Sequence, residues 1–325
     1  MRDEMILFKV NLYLFDNTNV TTDTGLSDEM KTYYSDYLID LAEPYLVHDQ
    51  FGQKQPIPQN GGKQIEFRKY SPLPKALTPL TEGVTPTGQK LTMGVVTAVV
   101  NQYGGYIELS DMLIWTAIDN NQVQATKMLA GQAGRTIDTV VREVLVGGTN
   151  VQYAEGTHSS RATLDGNDKL TVDCIRKAVR YLKVMKAQKI NGDFVGIIHP
   201  DCSYDLMSDP KWVNVKTYSD PDGIYEGEIG KIEGVRFVET SEAKIFEDAG
   251  ASSKDVYATL ILGENAYGTT EISGGGLQYI AKQLGSAGTA DPLNQRATCG
   301  WKATKAAARL VEEYMVRIET TSTFS

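Results

Sequence analysis

A histidine next to a serine, or two carboxylates close together, is the raw material of nucleophilic or acid–base catalysis, and the chain holds a few such neighbours. Its histidines are His48, His158 and His199. None lies in an HExxH pattern or a close pair, so no zinc ligand set can be assembled from them, and each reads as a capped or surface histidine. His158 precedes Ser159 and Ser160, but no GxSxG elbow surrounds them, and the adjacency reads as a loop coincidence. Glu312 and Glu313, or Asp220 and Asp222, could exchange protons with a substrate; solvated charge is the plainer reading. Gly62-Lys63 and Gly230-Lys231 lack both the hydroxyl neighbour and the earlier glycine of a phosphate cradle. Gly131 and Gly134 resemble part of a dinucleotide turn, yet they stand inside a helical stretch instead of after a strand. No catalytic residue, cofactor site, metal ligand or bound cofactor is therefore expected, and the chain does not read as an enzyme.

The whole-chain numbers point the same way. At 325 residues, two or three sub-structures are expected. With 41% hydrophobic and 22% charged residues the composition is that of a folded protein. Its longest apolar run, near residues 95–100, is far short of the roughly 20 residues that span a bilayer, and no membrane partner is expected. Net charge is −9, the opposite of the balance found in proteins that grip nucleic acid. Cys174, Cys202 and Cys299 are widely spaced with no CxxC pair, which predicts buried free thiols in a reducing compartment.

Two projecting segments come first. In residues 1–60, Ser27 can cap a helix with Asp28 and Glu29 in its first turn. Met30, Tyr33, Tyr34, Tyr37, Leu38 and Leu41 then form one apolar stripe, and Pro44 should end or kink it. Residues 61–110 read as a long hairpin: Ile65 and Phe67 alternate with charged neighbours, and Leu91, Met93, Val95, Thr97 and Val99 alternate on the return. Four prolines and two glycines lie between the arms, so the tip is not ordinary sheet. Such a hairpin has little core of its own and must lie on something, a neighbouring copy being the natural candidate. Residues 1–60 hold ten acids against four bases, a net −6, whereas residues 61–92 hold five bases against two acids, a net +3. Opposite charge on two projections suggests docking between copies.

The remainder reads as an α/β body. Ser110 is a plausible cap for a helix over 111–147, which Gly147 and Gly148 stop. A second helix follows, with Val172, Ile175, Val179 and Leu182 inward and Arg176, Lys177, Arg180, Lys183, Lys186 and Lys189 mostly outward. That basic face could touch nucleic acid inside a particle, although a solvated face is the simpler account. A buried strand at Phe194–Ile198, a short helix after His199-Pro200, and strands at 232–239 (with a Glu233-Gly234 turn) and Val256–Leu262 complete the segment. Residues 303–320 are ambiguous, with helix-favouring composition but an alternating end.

The order of these pieces resembles the major capsid proteins of tailed bacteriophages that share the HK97 fold, and more narrowly the N4 gp56-like family. The residues carrying the likeness are Asn11, Leu12, Tyr13, Leu14 and Phe15, then 21–30, and Thr81 to Pro86 at the hairpin tip. His199-Pro200, GEIGKIEGVRFV at 227–238, ILGENAY at 261–267, Gly300-Trp301-Lys302 and the terminal 315–319 follow. The resemblance implies an α+β, HK97-like capsid fold with an N-terminal arm (1–60), an extended E-loop hairpin (61–110), a spine helix with a peripheral sheet (111–165 and 291–325) and an α/β axial domain (166–290). It makes 310–320 a strand against its propensity. It implies assembly of copies into hexamers and pentamers of an icosahedral shell around double-stranded DNA, made in the host bacterial cytoplasm and residing in the virion. Inter-subunit contacts are expected at Tyr33, Tyr34, Tyr37, Phe67, Lys69, Lys75, Glu82 and Lys90. The partners are other copies, a separate scaffolding protein (the arm begins almost at once), a portal, and packaged DNA by weak non-specific contact. No cross-link is expected, since nothing marks Lys69, Lys75 or Lys90 for that role. The rival readings are an encapsulin-like compartment, a tail or decoration protein, and an α/β enzyme with an unfamiliar site.

Overall fold

Residues 125, 129, 133, 137, 141 and 145 are all apolar, and this every-fourth-residue stripe is buried along one long helix around which the fold is organised. The computed structural model describes residues 38, 42, 46–56, 63–70, 73–116, 121–156, 158–212, 230–271, 276–286, 288 and 291–325. A short helix, α1 (Asp111–Thr116), precedes the long one, and the Ser110 hydroxyl oxygen accepts its Leu113 N–H at 3.2 Å, as expected of a cap. The long helix, α2 (Asn121–Val146), has 26 residues and runs about 39 Å at 1.5 Å per residue. It is long enough to touch two separate sheets.

Its first half covers a three-stranded antiparallel sheet of β12 (Leu277–Lys282), β13 (Arg296–Lys305) and β4 (Asn101–Ser110). Leu129, Ala130, Ala133 and Ile137 meet Leu109, Leu277, Tyr279, Cys299 and Trp301 there, joined by Leu38, Ala42 and Leu46 from the N-terminal side. The second half lies on the larger sheet, in the order β5 (Val151–Tyr153), β15 (Met315–Thr320), β10 (Val256–Leu262), β6 (Phe194–Ile198), β8 (Val235–Glu239) and β7 (Lys231–Ile232), with β9 (Ile245–Phe246) beside β10. Val141 and Leu145 pack on Ile197, Leu260, Leu262 and Met315 on one face. On the other face lie α3 (Val172–Val184) and α4 (Pro200–Met207), packed on Phe194, Ile198, Tyr257, Ile261 and Ile318. Covering on both faces is why β6 and β10 are continuous apolar runs without alternation.

Most of the body follows the sequence reading. Val172, Ile175, Val179 and Leu182 are the buried side of α3, and Glu233 and Gly234 take positive φ angles of 52° and 79° in the turn between β7 and β8. The three cysteines are free and buried, and burial pushes the Cys202 thiol up to about 12. Among the described residues no helix is long and apolar enough to cross a membrane.

Several details differ. The β2–β3 hairpin, β2 (Gln64–Tyr70) against β3 (Met93–Val99), ends at Val100; residues 101–110 form β4 and pair along their length with β13. A ten-residue partner strand holds more ladder than a hairpin stem could. The closing strand begins only at Met315, since Glu312–Tyr314 is a 3-10 turn. Leu38 and Ala42 are helical and buried, but Met30, Tyr33, Tyr34, Tyr37 and Leu41 lie outside the described residues.

Candidate assembly surface

Alternation in β2 places Ile65 and Phe67 on one side, and register puts Ala98 opposite Ile65 and Val96 opposite Phe67. That side faces the protein's own body. Phe67 is 1% exposed, packed with Ile65, Ala98, Ala306 and Ala308. Its ring lies over Gly268 of β11 (Tyr267–Thr270), where an added Cβ would come within 2.3 Å of the ring. β11 is itself flanked by β1 (Gln53–Gln55) in parallel and β14 (Ala307–Arg309) in antiparallel pairing. The hairpin is therefore fastened at its root. Gly268→Ala should cost about 1–3 kcal/mol by overpacking, because backbone on either side of β11 prevents the ring from retreating; calorimetric unfolding of the unassembled subunit reads this as a lowered midpoint.

A second fastening sits behind the first. The turn at residues 47–50 drives His48 and Asp49 into the interior, where both are 1% exposed. Asp138 of α2 accepts from the His48 backbone N–H at 2.7 Å and holds its Nδ1 at 2.6 Å. Tyr267 donates its hydroxyl to the His48 carbonyl at 2.6 Å. Lys305 of β13 places its ammonium 2.6 Å from Asp49 Oδ1 and donates to the Thr270 carbonyl at 2.6 Å. Burial lowers the Lys305 ammonium from its ordinary range, with Asp49 opposing the shift, while burial beside Asp49 raises the Tyr267 hydroxyl. His48 thus overturns its reading as a capped or surface residue. A farther cluster closes the big sheet: Glu319, fully buried, receives Arg161 through two bonds of 2.7 Å and Arg317 at 2.7 Å.

None of this assembles a reaction centre. The His48–Asp138 pair has the geometry of a base and its orienter, but at 1% and 0% side-chain exposure no substrate reaches it. His199 caps α4, its Nδ1 accepting from the Asp201 N–H at 3.2 Å, and His158 lies between Thr163 and Asp168. Glu312 is bound by Arg309. Among the described residues no three His, Cys, Asp or Glu side chains gather as a metal set. An open groove of about 430 Å³ beside α3 is lined by charges already engaged, Lys211 with Asp173 and Lys169 with Thr323.

What the molecule leaves uncovered is apolar. On the outer side of β3, Met93, Val95 and Val99 are exposed. Beyond them the tip carries Leu73, Leu77, Leu80, Val84 and Leu91, with Leu77 at 81% and Leu80 at 79%. A second patch on α1 comprises Met112, Leu113, Ile114 and Trp115, Trp115 being 82% exposed. So much exposed apolar surface on a body with well-filled cores marks an interaction surface. Residues 110–285, more than half of the chain, match the sequence model of a family described as phage capsid protein. This chain belongs to that family of phage capsid proteins.

Its fold is that of solved capsid shells. The cyanophage Pam1 capsid superposes with a TM-score of 0.68 at 14% identity, over 88% of this chain and 93% of that one. The capsid of Ralstonia phage GP4 gives 0.63 at 14%, over 85% and 86%. The cyanophage P-SCSP1u capsid gives 0.61 at 14%, over 84% and 87%. No curated protein sequence matches the chain. At such low identity the likeness is one of fold, a mixed helix-and-sheet, HK97-like architecture; the function comes from the family. A structural capsid protein, not an enzyme, is what carries the buried charge clusters.

Of the expected contact residues, Lys69, Lys75, Glu82 and Lys90 lie exposed on the hairpin and its tip, whereas Tyr33, Tyr34 and Tyr37 fall outside the described residues. Phe67 is covered by its own chain, where it anchors the hairpin to the body. Sequence reasoning missed the α1 patch, though four consecutive apolar residues, Met112 to Trp115, stood in the sequence after a cap and an acid.

Proposed function

We propose that this capsid protein is the major shell subunit, self-assembling into hexamers and pentamers of an icosahedral shell that encloses phage double-stranded DNA. The observation that carries the reading is the two-sided hairpin: one side is locked onto the body through Phe67 and Gly268, and the other presents a row of large apolar side chains to solvent. Neighbouring copies supply the cover, as obligate interfaces above about 2,000 Å² require. On this reading residues 1–60 are the arm, 61–110 the E-loop with its root, 111–165 and 291–325 the peripheral domain, and 166–290 the axial domain. Tyr33, Tyr34, Tyr37, Lys69, Lys75, Glu82 and Lys90 contact adjacent subunits. The shell would be built with a scaffolding protein and a portal in the host bacterial cytoplasm, would meet packaged DNA by weak, non-specific contact, and would belong to the N4 gp56-like branch.

Negative-stain electron microscopy of the purified chain, with and without a scaffolding protein, tests this directly. Closed shells or capsomer rings are expected. A monodisperse monomer under every condition would overturn the reading.

A further inference from the structure

The most concentrated charge in the chain is on α3 and the turn after it. From Cys174 to Gly192 there are six bases, Arg176, Lys177, Arg180, Lys183, Lys186 and Lys189, and no acid, in a protein of net charge −9. Burial of Val172, Ile175, Val179 and Leu182 turns these bases outward. Around the same body several surface cations are paired: Lys211 with Asp173, Lys231 with Asp193, Lys244 with Glu143, and at the start of the ridge Arg176 with Glu233 and Asp173. Lys177 reaches the Glu155 carbonyl, and Lys189 lies over the Phe194 ring at 5.8 Å. Arg180, Lys183 and Lys186 make no ion pair among the described residues and are exposed.

Two features make this row more than a solvated helix face. Arg176 and Arg180 are four apart and Arg180 and Lys183 three apart on the helix, so these like charges are neighbours along one edge and repel one another. Lys186 also stands just past the helix end at φ 60°, a left-handed position where glycine or asparagine is least strained. A lysine stands there although the backbone position favours glycine or asparagine, and although its nearest charged neighbours on the ridge are also cations. A polyanion laid along the row would relieve the repulsion.

We propose that the Arg180–Lys183–Lys186 ridge is a contact for the phosphate backbone of packaged duplex DNA, which assigns this face of α3 to the inside of the shell. The inference rests on the shell reading above, because a closed shell offers its contents only its inner surface. Three cations engage about three phosphates, a weak and non-specific contact that salt easily breaks. Such a contact orders the outermost DNA without holding it against packaging or release. The acidic remainder of the chain keeps other surfaces from joining in.

The test measures binding of a labelled random-sequence duplex of about 24 base pairs to the full-length chain by fluorescence anisotropy across a salt series. Wild type should bind weakly, with log K falling steeply against log salt. The triple variants Arg180→Glu/Lys183→Glu/Lys186→Glu and, as a milder pair to it, the same three positions changed to Gln should flatten that slope by about 2.7, at roughly 0.9 per phosphate lost. Affinity at low salt should drop at least tenfold. Electron microscopy of the same variants should still show shells, which separates this inference from the assembly reading. The inference is overturned if wild type shows no salt-dependent duplex binding, or if the variants bind like wild type. It is equally overturned if both triple variants lose assembly, or if an acidic peptide of residues 10–50 displaces the duplex and binds the ridge more tightly, since the ridge would then be a contact between copies.

Discussion

Replacing Lys305 with methionine is expected to destabilise the unassembled subunit by about 3–5 kcal/mol, the usual cost of removing one partner from a buried ion pair. Methionine matches the length of the lysine stem, so little volume is lost and the effect isolates the charge. Asp49 would remain 1% exposed with only Lys54, 3.8 Å away and 45% exposed, to balance it. That residual partner places the loss nearer the lower end of the range. Thr270 would also lose the ammonium from its carbonyl. The consequence is local first: Asp49 belongs to the turn that carries His48 onto Asp138 and leads into β1, so the segment beside the hairpin root should loosen before the large sheet does. Adding Asp49→Asn should recover much of the loss, because the uncompensated charge disappears. Urea unfolding of wild type, both single variants and the double variant gives the coupling. Equal midpoints for Lys305→Met and wild type would show that the pair does not hold this turn.

That pair also marks where sequence reading stops. Asp49 and Lys305 are 256 positions apart, and His48 and Asp138 are 90 apart. Nothing local in either segment signals that a turn will bury two ionisable residues at once, and a lone histidine among surface-like neighbours reads as a surface histidine. Elements whose burial follows from their own pattern were legible instead. The stripe of α3, the unbroken apolar runs of β6 and β10 and the Glu233-Gly234 turn all announce themselves over a few residues. The hairpin was half legible. Alternation identified β3, but alternation alone does not say which phase turns inward. The choice falls to Phe67, whose ring needs the space over Gly268 and so sends Val96 and Ala98 inward and Met93, Val95 and Val99 out. Residues 101–110 were assigned to the hairpin because their partner, β13, lies almost 200 residues later. The cap at Ser110 is legible, but the exposure of the run after it is not, since a short apolar helix looks the same in sequence whether its cover is its own chain or another.

The outward side of the hairpin leads to the largest effect expected on function. Leu77→Glu with Leu80→Glu should leave the subunit folded and abolish shells. At 81% and 79% exposure the two leucines contribute almost nothing to the isolated fold, so its unfolding free energy should stay within about 0.5 kcal/mol of wild type. In an assembled shell each leucine that becomes covered gains about 1.5–3 kcal/mol, and each copy contributes both. The substitutions do more than forfeit that gain. They place two carboxylates where an apolar contact forms, and desolvating an unpaired charge costs several kcal/mol on its own. They also change residues 61–92 from +3 to +1, weakening the attraction expected between this projection and acidic surfaces of a neighbour. Repeated around a ring of copies, even half of this penalty outweighs the narrow margin by which shell contacts form and correct themselves. Leu77→Met with Leu80→Met, which keeps apolar volume, should assemble nearly normally and so separates loss of apolarity from loss of shape. Circular dichroism and urea unfolding report the fold; sedimentation and electron microscopy report the shell. Normal shells from the glutamate pair would mean that the tip faces solvent in the assembly, and the cover for the hairpin would then have to fall on Met93, Val95 and Val99 alone.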